Sequence, residues 1–173
     1  MPLLPASTGK RELWKNGLGS TLVVASDATT VGGDDWSWRL AIADIPSRCA
    51  FSNYVGIDRC IALLEGAGLA IERGDRRQDL PVVGSALAFA GEEEVVGDPT
   101  GDGVRDANLM LRRTHWRGEM QLVRSGAMPV DATLVVIHAA NGAIEIASAH
   151  EPSIARIESG ETLITHGAVE VRP

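Results

Sequence analysis

Residues that favour turns interrupt the chain about every eight to twelve positions, and this spacing constrains the fold more than any other feature. The 173 residues include 19 glycines and 8 prolines, and the intervals between them are short and rich in alternating β-branched residues. A helix needs a longer stretch with a period of about 3.6 residues, whereas a strand needs a short stretch with a period of two. The sequence therefore predicts an all-β protein, built as a sandwich or a barrel.

Size and charge exclude several classes of protein. A chain of this length buries about 69% of its unfolded surface, enough for one globular core. The net charge of −7 opposes binding to nucleic acid or anionic membranes, and an aromatic content of 4% leaves few rings for stacking on bases. The first residues lack the pattern of a secretory signal, and no apolar run is long enough to cross a membrane. We therefore expect a cytoplasmic protein without nucleic-acid or membrane partners.

The cysteines and histidines give no indication of a metal or cofactor. Cys49 and Cys60 are expected to be free thiols in a reducing compartment. The histidines are isolated from one another, without the His-x-His spacing of barrel metal sites, so no metal is expected. Phosphate-binding and dinucleotide-binding motifs are also absent from the sequence, and no cofactor is expected. The four histidines are His115, His138, His150 and His166.

The clearest strand pattern covers residues 36–42. Alternation places Trp36 and Trp38 on one face and Arg39 on the other, between small neighbours that leave space beside the guanidinium. Two readings of Arg39 remain open at this point. It lies either in the wall of a cavity or on a solvent-exposed face.

Short turns predict three further pairs of strands. Asn141-Gly142 is the strongest of these signals, because the dipeptide suits the two positive φ angles of a type I′ hairpin turn. The other two turns are rich in glycine. The predicted pairs are Arg59–Leu64 with Leu69–Glu72, Thr133–His138 with Ala143–Ile146, and Thr162–Thr165 with Ala168–Val171 around His166-Gly167.

A segment rich in glycine and acidic residues divides the chain. Between Gly91 and Gly103 the sequence is typical of a loop, and we place the boundary between two β halves there. The halves are expected at about 1–96 and 104–173. Residues 105–113 fit either one helical turn or an extended loop.

Three clusters combine residue types that suit the binding of a small anion. Trp14-Lys15-Asn16-Gly17 offers an aromatic face, an ammonium group and an amide beside flexible glycine. Asp58-Arg59 and Asp106-Ala107-Asn108 add further charged and amide groups. The first cluster also fits an ordinary loop tied down by its tryptophan. Asp58 and Arg59 are adjacent, so in a strand they point to opposite faces and one of them has a structural role.

Several short motifs resemble the HutD/Ves family of small bacterial bicupins. They follow the family's order across residues 14–113, whereas the last third of the chain resembles the family only in being β-rich. The matching stretches are Trp14-Lys15-Asn16-Gly17, Gly19, Thr21, Trp38-Arg39, Phe51-Ser52, Gly56-Ile57-Asp58-Arg59, Leu64-Glu65-Gly66, and Asp106 with Asn108-Leu109-Met110 and Arg113.

The resemblance implies a fold and a function. The fold is a single bicupin unit spanning 1–173, with two small antiparallel β barrels and none of the metal-binding histidines of catalytic cupins. The function is an association with histidine utilisation, as a regulator that binds N-formylglutamate or a related acid without turnover. The implied ligand-binding residues are Trp14, Lys15, Asn16, Arg39, Ser52, Asp58, Arg59, Asp106 and Asn108.

Within that set the side-chain chemistry suggests a division of roles. The cations Arg39, Arg59 and Lys15 would bind the carboxylate, because a guanidinium matches it with two hydrogen bonds. Asn16, Ser52 and Asn108 would orient the ligand, and Asp58 and Asp106 would hold the cations in place. The chain departs from the family pattern at Leu18, Leu22-Val23, Val55 and Ala107, which implies a larger or less charged pocket.

Two other functions stay open on the sequence alone. The chain could be a metal-free isomerase or hydrolase of an acidic metabolite, with Asp58 or Asp106 as general base and Lys15 as electrophile. It could also be an interaction scaffold. Exposed edge strands of such barrels favour association into a homo-oligomer.

Overall fold

A computed structural model describes residues 3–5, 9–14, 19–29, 35–148 and 154–173. This part of the chain forms strands and contains no helix, and therefore none that could span a membrane. The predicted all-β class is confirmed. The strands are β1 (Leu3–Leu4), β2 (Lys10–Leu13), β3 (Ser20–Ser26), β4 (Trp38–Ile45), β5 (Cys49–Ala50), β6 (Ile57–Glu65), β7 (Leu69–Arg73), β8 (Arg76–Leu80), β9 (Ala86–Ala90), β10 (Val95–Pro99), β11 (Val104–Arg112), β12 (Met128–His138), β13 (Ile144–Ser148), β14 (Ile154–Ile157) and β15 (Thr162–Arg172).

The chain divides into two compact units. Unit 2 is the continuous segment Lys10–Gln121, and unit 1 combines Met1–Gly9 with Leu122–Pro173. These limits differ from the expected halves, 1–96 and 104–173. The difference arises because β11 pairs with β4 and β6 of unit 2, although the sequence assigned its residues to the second half.

Unit 2 consists of two sheets that share one core. The six-stranded sheet has the order β2-β3-β4-β11-β6-β9, and the four-stranded sheet has the order β5-β10-β7-β8. Buried side chains from both sheets form a single apolar cluster, so the sheets pack face to face. We call the core-facing side of the six-stranded sheet its inner face. Its apolar members include Ile61, Leu63, Leu87 and Phe89.

The segment 105–113, expected to be a helical turn or an extended loop, is neither and lies in the middle of the six-stranded sheet. Most of it forms β11, which is bonded to β4 on one side and to β6 on the other. A strand with neighbours on both edges and little exposed surface does not show simple alternation, which explains why periodicity did not resolve it. The Gly91–Gly103 segment is not a simple loop either. It contains β10, which lies between β5 and β7.

The predicted pairing of Arg59–Leu64 with Leu69–Glu72 is wrong. Both segments are strands, but β6 pairs with β9 and β11, whereas β7 pairs with β8 and β10. The turn between them carries the chain from one sheet to the other. Gly66 at that turn has a φ of 112°, and a Cβ there would lie 2.6 Å from a methyl group of Val104.

Unit 1 contains a five-stranded sheet with the order β1-β15-β13-β14, in which β12 also pairs with β15. The predicted hairpin across Asn141-Gly142 is wrong, because β12 and β13 both pair with β15 rather than with each other. Gly142 has a φ of 77°, but Asn141 does not take a positive φ, so the type I′ requirement is not met.

The predicted turn at His166-Gly167 is wrong as well. These residues lie inside the continuous strand β15. Gly167 has a φ of 77° and lies opposite Ala132, where the register with β12 shifts. The glycine therefore marks an irregularity within a long strand rather than its end.

Candidate functional site

A cluster of polar residues lies on the inner face of the six-stranded sheet of unit 2. Asp106 and Asn108 of β11 stand opposite the core residues Leu63 and Ile61 of β6, so they share the core-facing side. Met110, two residues further on, stands opposite Arg59 in β6 and Arg39 in β4. We call Arg39, Arg59, Asp106 and Asn108 the interior cluster.

Arg59 is a buried cation, with 6% of its surface exposed. Its Nε donates to the side-chain oxygen of Asn108 at 3.5 Å, and its Nη1 donates to the Ser52 carbonyl at 3.1 Å. Its other N–H groups have no acceptor, and it forms no ion pair with a carboxylate, in the described part of the chain. Burial lowers the pKa of Arg59, and Asp106 opposes that effect.

Three aromatic rings surround the Arg59 guanidinium. Its Cζ lies 4.9 Å from the ring centre of Phe89, 5.4 Å from that of Phe51 and 5.7 Å from that of Tyr54. The chain has two phenylalanines and one tyrosine, so all of them are at this arginine. Such cation–π contacts are worth about 0.5–2 kcal/mol each. They stabilise the cation without neutralising it, and so leave its charge available to an anion.

Arg39 lies on the same face, with 13% of its side chain exposed. Arg39 therefore lies in the interior and not on a solvent-exposed face. Its Nη2 donates to Glu12 at 3.5 Å, while its Nε is buried without an acceptor among the described residues. Arg39 and Arg59 flank Met110 from opposite sides, about 10 Å apart at the backbone. Two incompletely bonded guanidinium groups therefore face one interior.

Among the described residues, Asp106 is the most deeply buried charged residue, at 1% exposure. Neither carboxyl oxygen has a hydrogen-bond partner within the described ranges. Burial raises the pKa of Asp106 to about 7, against the opposing effect of Arg59. A buried polar group without partners is costly, and such groups in native proteins commonly serve a function.

Of the predicted motif Trp14-Lys15-Asn16-Gly17, the structure describes Trp14. Trp14 packs against the core of unit 2, and its Nε1 donates to the hydroxyl of Thr21 at 2.7 Å. Thr21 stands opposite Ala43, which in turn stands opposite Asp106. Trp14 therefore belongs to the same side of the sheet as the interior cluster. Lys15 and Asn16 lie outside the described residues.

Ser52 and Asp58 differ from their expected places. Ser52 contributes its backbone carbonyl to Arg59, while its side chain is exposed. Asp58 does not join the interior cluster, because adjacent residues in a strand point to opposite faces. It accepts a hydrogen bond from Arg113 at 2.8 Å and is 49% exposed. The expectation that Asp58 holds a ligand-binding cation is therefore corrected.

Ala107 lies away from the interior as well. It stands opposite Ile42 and Ala62, on the side of β11 that Asp106 and Asn108 do not share. An alanine in place of the aromatic residue of the family pattern therefore leaves the lining of the interior cluster unchanged. The implied enlargement of the pocket does not arise at this position.

A surface depression of about 330 Å³ lies elsewhere on unit 2. Arg105, the one cation among its described lining residues, forms ion pairs with Glu65 at 2.7 Å and with Asp44 at 3.2 Å. The depression is open, and its lining carries the carboxylates of Asp44, Glu65 and Asp102 against one arginine, so its net charge is negative and opposes the binding of an anion. We therefore regard the interior cluster, with its unmatched groups, as the better candidate site.

The aromatic rings and Glu12 were missed by sequence reasoning. Phe51 precedes Ser52 in the sequence, which does not indicate a contact with Arg59, and Phe89 meets Arg59 only through the pairing of β6 with β9. One signal was available: the chain has very few Phe and Tyr residues, and two of the three lie within eight positions of Arg59.

The interior cluster can bind an anion and can exchange a proton. The guanidinium groups supply planar donors that match a carboxylate, and Asn108 supplies an amide. Asp106 can accept a hydrogen bond when ionised and donate one when protonated. None of these groups is arranged for metal binding: no set of three His, Cys, Asp or Glu side chains is suitably grouped among the described residues.

The fold and site define a class: an all-β protein of cupin-like fold with a buried arginine–carboxyl cluster. A cupin-domain protein from Leptotrichia buccalis superposes with a TM-score of 0.50 over 79% of this chain and 77% of its own, at 10% identity. The family model of HutD matches residues 6–172. The chain therefore belongs to the HutD family.

Individual relatives agree with this assignment. An uncharacterised 21.2 kDa protein in the hutC 3′ region of Pseudomonas putida is 34% identical over 86% of this chain and 78% of its own. The protein Ves of Cronobacter sakazakii is 30% identical over 64% of this chain and 60% of its own.

Two solved structures have the same fold over 99% of this chain. A conserved protein of unknown function from Pseudomonas aeruginosa PAO1 matches with a TM-score of 0.87, 26% identity and 91% of its own chain. HutD from Pseudomonas fluorescens SBW25 matches with a TM-score of 0.68, 24% identity and 92% of its own chain.

Proposed function

We propose that unit 2 binds a small carboxylate metabolite resembling N-formylglutamate at the interior cluster, without a metal and without turnover. One observation carries the proposal: Arg59 is a buried cation that forms no direct ion pair with a carboxylate among the described residues, although Asp106 acts on it from a longer distance. A buried charge is expensive unless an opposite charge compensates it. A ligand carboxylate at Arg59 would provide that compensation.

The second guanidinium favours a ligand with more than one acceptor group. Arg39 keeps a buried Nε–H without an acceptor in the described part of the chain, and its contact with Glu12 is long at 3.5 Å. A dicarboxylate could therefore bind Arg59 with one end and Arg39 with the other. Asn108 would orient the ligand between them.

The biological role that we propose is regulation of histidine utilisation. One relative is encoded in a hutC 3′ region, and one structural neighbour is named HutD. A protein that binds a pathway acid without converting it can report the concentration of that acid.

We also propose that the two units correspond to the two barrels of a bicupin. Both cysteines are free thiols, which supports a cytoplasmic location.

A second candidate function is catalysis by Asp106 as a general base. Efficient acid–base catalysis needs a group whose pKa lies near the working pH, and burial raises the pKa of Asp106 to about 7. We favour binding over catalysis because no described residue hydrogen-bonds to the Asp106 carboxyl group and so orients it for proton transfer.

Thermal unfolding with small acids tests the proposal. Formylglutamate, glutamate and urocanate are added separately, and a ligand at 100 times its Kd should increase the free energy of unfolding by about 2.7 kcal/mol. Arg59→Met should abolish the effect. The matched control is Arg77→Met, because Arg77 is an exposed arginine paired with Glu72.

The outcomes separate the candidate functions. A shift in the wild type and in Arg77→Met, but not in Arg59→Met, supports binding at the interior cluster. Mass analysis after prolonged incubation then distinguishes a binder, which leaves the acid unchanged, from an enzyme, which alters it. No shift with any acid contradicts the proposal and favours a scaffold.

A further inference from the structure

The carboxyl group of Asp106 has no use in the fold itself. Its neighbours across the sheet, Ala43 and Leu63, are apolar, and both of its oxygens are buried without partners among the described residues. An aspartate in this place costs stability, whereas an apolar residue of similar size would not. The unpartnered oxygens of Asp106 and the incompletely bonded guanidinium of Arg59 lie on the same face of the sheet. This arrangement is suited to binding a ligand and does not stabilise the fold.

Among the described residues, a small set of titratable groups surrounds Asp106. The core residues that β7, β8, β9 and β10 contribute are apolar, and β3 has no titratable residue. The remaining elements supply Arg59 from β6, Arg39 from β4, Glu12 and its ion-pair partner Lys10 from β2, Cys49 from β5, Tyr54 beside Arg59, and Asp44 from the other side of β4.

Of these groups, Arg59 acts on Asp106 most directly. Its positive charge lowers the pKa of Asp106, which burial has raised to about 7. An anion bound to Arg59 would cancel much of that effect and would add a negative charge near the carboxyl group. Two carboxylates that act on the same cation in a buried site cannot both stay ionised at little cost. The one that is kept neutral is the buried aspartate.

We propose that the anionic ligand enters unit 2 together with one proton, which Asp106 takes up from solvent. This inference rests on the proposed function and adds a coupling to it. No covalent bond changes: the proton moves to a carboxyl oxygen of Asp106, and the neutral group then donates its O–H to an oxygen of the ligand. Arg59 and Asp106 thus bind the same acid, one as a cation and the other as a neutral donor.

The coupling also specifies a class of ligand. The interior offers two guanidinium groups and a neutral acid, all of which are donors. A ligand with acceptor oxygens and no ammonium group fits these donors, whereas an ammonium group would meet two cations. Formylglutamate, whose nitrogen is an uncharged amide, should therefore bind more tightly than glutamate.

Calorimetric titration with formylglutamate between pH 5.5 and pH 9 tests the coupling. In the wild type the Kd should be constant below about pH 7, where Asp106 is already protonated. Above that pH it should rise by up to tenfold per pH unit, because the proton concentration falls tenfold while binding still requires one proton. Titration in two buffers of different ionisation enthalpy should give an uptake approaching one proton per ligand above pH 7.

Variants assign the proton to its group. Asp106→Asn keeps a neutral donor in the same position, so its Kd should be independent of pH and should match the low-pH value of the wild type. Glu12→Gln is the matched control, since it removes the other carboxylate of the interior while Asp106 remains. It should retain the rise in Kd above pH 7.

The contradicting results are distinct. A wild-type Kd that stays flat from pH 5.5 to 9, or an absence of proton uptake, overturns the coupling and leaves the proposed function intact. These two measurements need no variant, so they hold even if Asp106→Asn does not fold. A pH dependence that survives in Asp106→Asn also overturns the assignment. No binding at any pH overturns both the coupling and the proposed function.

Discussion

Replacement of Asp106 by asparagine should change how the stability of unit 2 depends on pH. The carboxyl group has a pKa of about 7 in the folded protein, raised by burial from 3.8. Between these two values the folded state binds a proton that the unfolded state has lost. Stability therefore increases as the pH falls from about 7 to about 4, and Asp106 destabilises the fold most above pH 7.

The size of this effect follows from the two pKa values. They differ by about three, and each pH unit corresponds to about 1.4 kcal/mol, so ionised Asp106 costs unit 2 about 4 kcal/mol above pH 7. A buried asparagine without partners carries a cost of its own, about 1–3 kcal/mol, but at every pH alike. The difference in unfolding free energy between Asp106→Asn and the wild type should therefore change by about 4 kcal/mol, in favour of the variant, between pH 4 and pH 8.5.

Urea unfolding followed by tryptophan fluorescence measures this difference. All four tryptophans, Trp14, Trp36, Trp38 and Trp116, belong to the segment of unit 2, so the signal reports on that unit alone. Asp75→Asn makes the same chemical change at an exposed position and serves as the control. A difference between Asp106→Asn and the wild type that stays constant within about 1 kcal/mol across this pH range would refute the reasoning.

Three further results are expected. Gly91→Ala should destabilise unit 2 by about 2 kcal/mol in urea unfolding, because its Cβ would lie 2.4 Å from the Tyr54 carbonyl oxygen; an unchanged midpoint would contradict this. Arg113→Ala should return the pKa of Glu92 from about 2 towards 4.5 in a carboxyl NMR titration, since the Arg113 hydrogen bond is the main cause of the lowering. Phe89→Leu should weaken formylglutamate binding severalfold in calorimetry by removing one ring from the buried guanidinium, and an unchanged Kd would contradict that role.

Local patterns of sequence predicted the strands better than their partners. Alternation identified the strand that contains Arg39, and short β-branched runs identified β6, β7 and β12. Pairing failed because it is decided over long distances. β11 joins β4 and β6 across intervals that no turn signal spans, and Asn141-Gly142 does not close a hairpin because both of its flanking strands pair with β15.

The composition of the Gly91–Gly103 segment led to the wrong prediction of a loop where β10 lies. The segment has glycines and acidic residues that are typical of a loop, yet Gly97 lies in the strand. A Cβ at Gly97 would lie 2.7 Å from the ring of Phe51, so the residue is glycine because an aromatic side chain packs against the backbone there. A close approach of this kind depends on tertiary packing, which a single sequence does not reveal.

The candidate site was predicted in outline only. The alternation of side chains along a strand correctly predicted that Asp58 and Arg59 point to opposite faces. The resemblance to the family pointed to Arg39, Arg59 and Asp106. The ring of Phe89 could not be predicted, because the register of β6 with β9 brings it to Arg59. The lack of partners for Asp106 likewise depends on its apolar neighbours across the sheet.

A crystal structure of the protein with bound N-formylglutamate tests the central claim most directly. We predict one ligand carboxylate within hydrogen-bonding distance of the Arg59 guanidinium, with a ligand oxygen also contacting a carboxyl oxygen of Asp106. A ligand bound instead in the open depression beside Arg105, with Arg59 and Asp106 untouched, would contradict the account.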